Sequence, residues 1–170
     1  MSERTSRISL LALLFAIAGM CLMSRTARSD DKPAEPVNLA LNKPATASAT
    51  ESDEHAASKA NDGDDDTRWC ADGDSTPQWW QVDLQKPATI TGVSIKWEFD
   101  GKVYKYVVEG SADNEKWTPL SDQSNTTSDK QTQTLTLDKP AEGIRYVRIR
   151  ITGLDDGCWA SIFEVKVFGK

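Results

Sequence analysis

Over much of the chain, apolar and polar side chains change places at every second residue. Val93, Ile95, Trp97 and Phe99 alternate with Ser94, Lys96 and Glu98 up to Asp100-Gly101, and Tyr104, Tyr106 and Val108 carry the period on to Gly110. Val147, Ile149 and Ile151 alternate with Tyr146, Arg148 and Arg150 before Thr152-Gly153. Phe163, Val165 and Val167 alternate with Glu164 and Lys166. A period of two sends successive side chains to opposite faces of an extended chain, so each run predicts a half-buried antiparallel strand. Residues 80–84, 116–120 and 132–137 are shorter candidates. After Asp30 no helical period is sustained and no internal repeat appears. Many short strands and no helix predict a sandwich or a barrel. Trp80, Trp97 and Trp117 lie in or beside strand patterns and are expected in the core, where large aromatics dominate. Trp69 and Trp79 follow turns.

The first residues have another pattern. Arg4 and Arg7 precede an apolar run over residues 8–23, and Ala27-Arg28-Ser29 offers small residues for a cut before Asp30. This is the layout of a secretory signal peptide over residues 1–29. The apolar run is shorter than the about 20 residues of a membrane span. Residues 30–37 read as a polar, Pro-containing linker, which leaves 38–170 for the folded domain. The expected location is secreted, periplasmic or at the cell surface.

The full chain has a formal net charge of −6, and loss of residues 1–29 removes more basic than acidic groups. An acidic surface without Lys/Arg clusters argues against nucleic acid and against anionic membranes as partners. A monomer is expected. Cys70 and Cys158 would remain after processing, and in an exported protein the default is that they pair. Such a bridge would close a long loop, worth on the order of 4–5 kcal/mol. Two buried free thiols are the alternative.

Residues 59–69, Lys-Ala-Asn-Asp-Gly-Asp-Asp-Asp-Thr-Arg-Trp, crowd Asp62, Asp64, Asp65 and Asp66 around Gly63. Carboxylates this close repel one another, and a hard cation would relieve them. Calcium accepts carbonyls and hydroxyls alongside carboxylates. The spacing is not that of the helix–loop–helix calcium motif, and a solvated acidic turn is the alternative.

Residues 38–48 (Asn-Leu-Ala-Leu-Asn-Lys-Pro-Ala-Thr-Ala-Ser) resemble the opening of the coagulation factor V/VIII type C, or discoidin, domain family, which includes the family-32 carbohydrate-binding modules. The likeness continues through residues 59–69, 78–84 (Gln-Trp-Trp-Gln-Val-Asp-Leu), 110–117, 145–148 and 159–169, in order along the domain. The resemblance implies an all-β fold, an eight-stranded antiparallel jelly-roll β-sandwich whose loops at one end recognise a ligand. It also implies a structural calcium ion (Ca2+) held by the carbonyls of Lys59, Asp64 and Phe163, the Asp62 carboxylate, the Thr67 hydroxyl and the Glu164 carboxylate. Asp65 and Asp66 would lie outside that set.

The ligand implied is a glycan or cell-surface polysaccharide, with an adhesion or scaffolding domain for a surface protein as the second reading. Family-32 modules place their contacts in loops matching those that carry Glu51, His55 and Arg68, and Glu98, Asp100 and Lys102. Trp159 stands where related sugar binders place a stacking ring, or else it is a core residue or a cover over a disulfide. Catalysis has little to work with. His55 is the single histidine, which leaves few options for a triad and none for a zinc site of adequate size. A non-catalytic binding module is the expectation.

Overall fold

In the computed structural model, which describes residues 36–170, the alternating runs form seven antiparallel strands. These are β1 (Ala45–Ala47), β2 (Trp69–Cys70), β3 (Gln78–Trp97), β4 (Tyr104–Ser111), β5 (Thr118–Gln123), β6 (Thr132–Leu154) and β7 (Ser161–Gly169). The ladder order is β2-β7-β3-β6-β4-β5, with β1 added to β3. The signal peptide and most of the linker expected from the sequence lie outside the described residues.

Two long strands build both layers of the sandwich. The first half of β3 pairs with the second half of β6 (Trp80 opposite Ile149), and the second half of β3 pairs with the first half of β6 (Ile95 opposite Gln133). Between these ladders the register shifts three times over residues 83–92. Gln85 there adopts φ +68° and, with Lys86 and Pro87, is exposed. Each strand thus bends from one sheet into the other, and the predicted short strands 80–84 and 132–137 are the leading halves of β3 and β6. The outcome is the antiparallel β-sandwich that the alternation and the resemblance imply.

The core follows the period of two where the ladder is regular. Trp80 and Val82, then Val93, Ile95 and Trp97, are fully buried on β3, as are Val147, Ile149 and Ile151 on β6. Trp97 stacks flat on Tyr104, ring centroids 4.5 Å apart, and meets Tyr106 at a tilt of 59° with centroids 5.0 Å apart. Burying rings of this size is the largest single apolar contribution a sandwich core receives.

Three expectations fail for local reasons. Phe99 is 42% exposed because β3 ends at Trp97, where the chain turns back through Gly101 at φ +74°. Trp117 is half-buried before β5, with the Arg148 guanidinium 3.9 Å from its ring centroid, so it covers the sheet face instead of filling the core. Phe163 is also half-buried, and Ile162 takes its place inside. Opposite β3, Lys96 faces Glu164 while Trp97 faces Ile162, so Phe163 is the extra residue of a β-bulge. The bulge reverses the phase, which is why Ile162 and Val165 both point inward.

The crossing of the long strands leaves no room at Gly92. A Cβ there would stand 2.5 Å from the Leu135 carbonyl oxygen, a backbone atom that cannot step aside. Gly92→Ala is expected to cost about 1–3 kcal/mol of stability, the range for overpacked sites. Chemical denaturation checks this, and an unchanged midpoint would contradict the packing described.

Candidate functional site

Between β1 and β2 the chain forms a long loop with only two single 3₁₀ turns, Asp53–His55 and Ala57–Ala60. The neighbouring core holds this loop in place. The buried Trp80 ring donates its indole N–H to the Ala57 carbonyl at 2.8 Å, and the Trp69 indole donates to the Ala49 carbonyl at 3.0 Å. The buried Asn61 amide donates to the carbonyls of Ala40 and Lys43 at 2.7 and 2.9 Å. The loop supplies residues to two distinct clusters.

The first cluster is made of oxygen atoms. The Thr67 hydroxyl lies 3.0 and 2.9 Å from the two Asp62 carboxylate oxygens, 3.4 Å from the Lys59 carbonyl and 3.3 Å from the Asp64 carbonyl. A hydroxyl has one proton, so it can satisfy only one of these four acceptors. Glu164 reaches the loop from β7, and its Oε2 accepts the Gly63 N–H at 3.3 Å. Its Oε1 is buried without a partner, and burial, with smaller contributions from nearby Asp62 and Asp65, pushes the carboxyl up to about 7. Asp65 is paired with Lys96 at 3.1 Å, and Asp64 Oδ1 accepts the Asp66 N–H at 3.0 Å. Among the described residues no group of three or more His, Cys, Asp and Glu side chains gathers as a metal cluster. The cluster here is of mixed character: two carboxylates, a hydroxyl and main-chain carbonyls. Such a set, with an orphaned buried oxygen, fits a hard cation of the calcium type. Phe163, whose carbonyl the resemblance adds, sits in the bulge next to Glu164.

The second cluster lines an open cleft of about 240 Å³ walled by Glu51, Arg68, Cys70, Glu98, Phe99, Gly157 and Trp159. Four residues expected from the sequence, Glu51, Arg68, Glu98 and Trp159, therefore do meet. Arg68 Nε lies 3.2 Å from Glu98 Oε1, which joins the long loop to the end of β3. His55 bonds Glu51 through Nδ1 and touches the Ser52 hydroxyl at 3.4 Å, so it supports the wall without lining it. Asp100 and Lys102 are not part of the lining. Asp100 Oδ1 accepts the Gln131 N–H at 3.1 Å, and Lys102 Nζ donates to the Asp156 carbonyl at 3.2 Å. Of the lining residues that sequence reasoning missed, Cys70, Phe99 and Gly157, the ring of Phe99 was lost because the alternation extended one step too far. Trp159 is 39% exposed, which excludes the core reading of this ring.

The expected bridge between Cys70 and Cys158 is not formed; both are buried free thiols. Each has its own neighbour. Cys70 donates to the Ala71 carbonyl at 3.5 Å, and Cys158 lies beside the Tyr104 hydroxyl. Burial pushes both thiols up, which keeps them protonated and unreactive.

The F5/8 type C domain family matches residues 44–165. Chitosan-binding module 1 of a chitosanase/glucanase from Paenibacillus sp. IK-5 is 32% identical, with 78% of this chain and 99% of that chain covered and a TM-score of 0.67. Module 2 of the same enzyme, in complex with chitotriose, is 28% identical over 78% and 100% of the chains, with a TM-score of 0.69. A family-32 module of Clostridium perfringens NanJ, in complex with galactose, is 25% identical over 75% and 93%, with a TM-score of 0.64. No curated protein matches significantly.

Glu164 gives a pH prediction for the metal-free chain. Its carboxyl titrates near 7 when folded and near 4.5 when exposed, so between those values the folded state binds more protons. Stability should therefore fall as pH rises from about 4.5 through about 7, on the order of 3 kcal/mol at most. Melts in chelator across that range test it. Glu164→Gln should flatten the slope, and an equally steep slope in the variant would refute the assignment.

Proposed function

The chain belongs to the F5/8 type C domain family, and from that premise we propose that it is a glycan-binding module that does no chemistry of its own and carries a structural calcium ion. The observation that supports this best is the cleft, where two exposed aromatic rings, Phe99 and Trp159, share a wall with Glu51, Arg68 and Glu98. The apolar C–H face of a sugar stacks on such a ring. The flanking carboxylates and guanidinium can bond its hydroxyl or amino groups, each bond worth about 1 kcal/mol net. The acidic balance of the wall, and the chitosan-binding and galactose-bound neighbours, make chitooligosaccharides and galactosides the first ligands to try. A shallow site of this kind supports dissociation constants of roughly micromolar to millimolar.

Calcium, when bound, would supply the positive charge that the crowded oxygens of Asp62, Thr67 and Glu164 lack. These residues would hold it together with the Lys59 and Asp64 carbonyls. Their role is structural, since they tie the long loop to β7 and none of them lines the cleft. We further read the chain as exported by residues 1–29, to act as a monomer outside the cytoplasm.

A carbohydrate array with the purified domain is expected to return at least one chitooligosaccharide or galactoside. Trp159→Ala should weaken that binding about tenfold or more, about 1.4 kcal/mol, while the melting temperature moves by no more than about 4 °C. A surface protein captured in place of any glycan would turn the reading to adhesion.

Chelator is expected to lower the melting temperature and calcium to restore it, because a ligand of the folded state stabilises by mass action. Asp62→Ala should abolish the response, and Asp66→Ala should keep it. Indifference of the wild type to both chelator and calcium, with no metal found by elemental analysis, would rule the ion out.

A further inference from the structure

The ladder between β4 and β6 ends at the pair Tyr104 and Leu154, and beyond it the two chains separate into loops. Side chains continue the pairing there. Asp155 Oδ2 accepts the Val103 N–H at 2.9 Å, and the Asp155 N–H in turn donates to the Val103 carbonyl at 3.3 Å. Lys102 Nζ reaches across to the Asp156 carbonyl at 3.2 Å. The clamped segment is a tight turn closed by the Cys158 N–H on the Asp155 carbonyl at 3.1 Å. Its third residue, Gly157, has φ +78°, the left-handed value that glycine adopts without strain. The next residue after the turn is Trp159, while Gly157 itself lines the cleft.

We propose that Asp155 and Lys102 are positioning residues for the cleft: they fix the turn that presents Trp159, and neither touches the ligand. The proposal rests on the glycan-binding reading above. Each side chain has a polar atom engaged within the protein, Asp155 through Oδ2 and Lys102 through Nζ, and neither is part of the cleft wall. A ring that stacks on a sugar gains only at contact distance. A turn left to wander would have to be ordered on binding, and that ordering weakens affinity. The clamp does the ordering in advance. It also accounts for the two directions of bonding between Asp155 and Val103, which a mere surface ion pair would not need.

The test uses chitotriose and galactose as probes with the full domain and three variants, Asp155→Ala, Asp155→Asn and Lys102→Met. Asp155→Ala should weaken binding about tenfold through lost preorganisation. Asp155→Asn should bind within about twofold of the wild type, because its amide oxygen can accept the same Val103 N–H. Lys102→Met should fall between them. In parallel, acrylamide quenching of Trp159 emission, taken as the difference between each protein and its Trp159→Phe counterpart, should rise in Asp155→Ala and Lys102→Met but not in Asp155→Asn. Equal loss of binding in Asp155→Asn and Asp155→Ala would mean that the charge acts on the ligand, and would overturn the proposal. Unchanged quenching in both Asp155→Ala and Lys102→Met would overturn it as well. If Asp155→Ala does not fold, Lys102→Met decides by the same two readouts. If the wild type binds neither probe, the glycan reading is the part that fails for these sugars, and the quenching comparison still decides whether the clamp positions the ring.

Discussion

Two indole N–H groups hold the segment on which both clusters depend. The rings of Trp69 and Trp80 are fully buried, yet each N–H reaches a carbonyl of the long loop, at Ala49 and at Ala57. A tryptophan can do this because it combines a large apolar body with one donor at its edge. The loop between β1 and β2 has little secondary structure to fix it, so these bonds transmit the rigidity of the sandwich to Glu51 and Arg68 on one side and to Asp62 and Thr67 on the other. Leaving either indole donor buried without its carbonyl would cost about 1–3 kcal/mol, which makes the loop's path strongly determined.

The other walls are borrowed from strand ends. Glu98 and Phe99 follow directly from β3, Trp159 lies two residues before β7, and Glu164 lies within β7. A sandwich brings such ends together whatever their separation in sequence, and that is how residues 51, 68, 98 and 159 come to share one small cleft. The arrangement separates two duties. Burial of the strand faces stabilises the scaffold, while exposed rings and charges at its rim remain free to meet a partner.

The architecture could be read from the sequence because period-two alternation is a direct record of which face is buried. Tyr104, Tyr106 and Val108, and likewise Val147, Ile149 and Ile151, point where the pattern says. The reading went astray where the chain departs from a regular ladder. Phe99 prolongs the alternation by one step past the end of β3, and the bulge at Phe163 inverts it; no local signal marks either event. The site was legible in part for a similar reason. Charged residues in loops can be named as candidates from composition and resemblance, but whether Lys102 and Asp100 face a cleft or a backbone carbonyl depends on partners tens of residues away. Cys70 and Cys158 show the same limit, since pairing by default takes no account of the neighbours each sulfur finds.

The bulge in β7 sets a limit on how the chain can vary in length. A ladder in which Phe163 also faced a β3 residue of its own would be more regular. It would also reverse the phase of the strand's C-terminal part relative to Ile162. Either Val165 and Val167 would turn outward, or Ile162 and the segment leading to Trp159 would rotate away from their present faces. Glu164 keeps its place beside the Gly63 amide only because the extra residue absorbs that half-turn. At this point an irregularity in pairing keeps the core and the oxygen cluster compatible: losing the extra residue would leave Ile162, Glu164 and Val165 opposite their present partners, whereas losing a residue from the regular ladder beyond it would turn one part of the strand over.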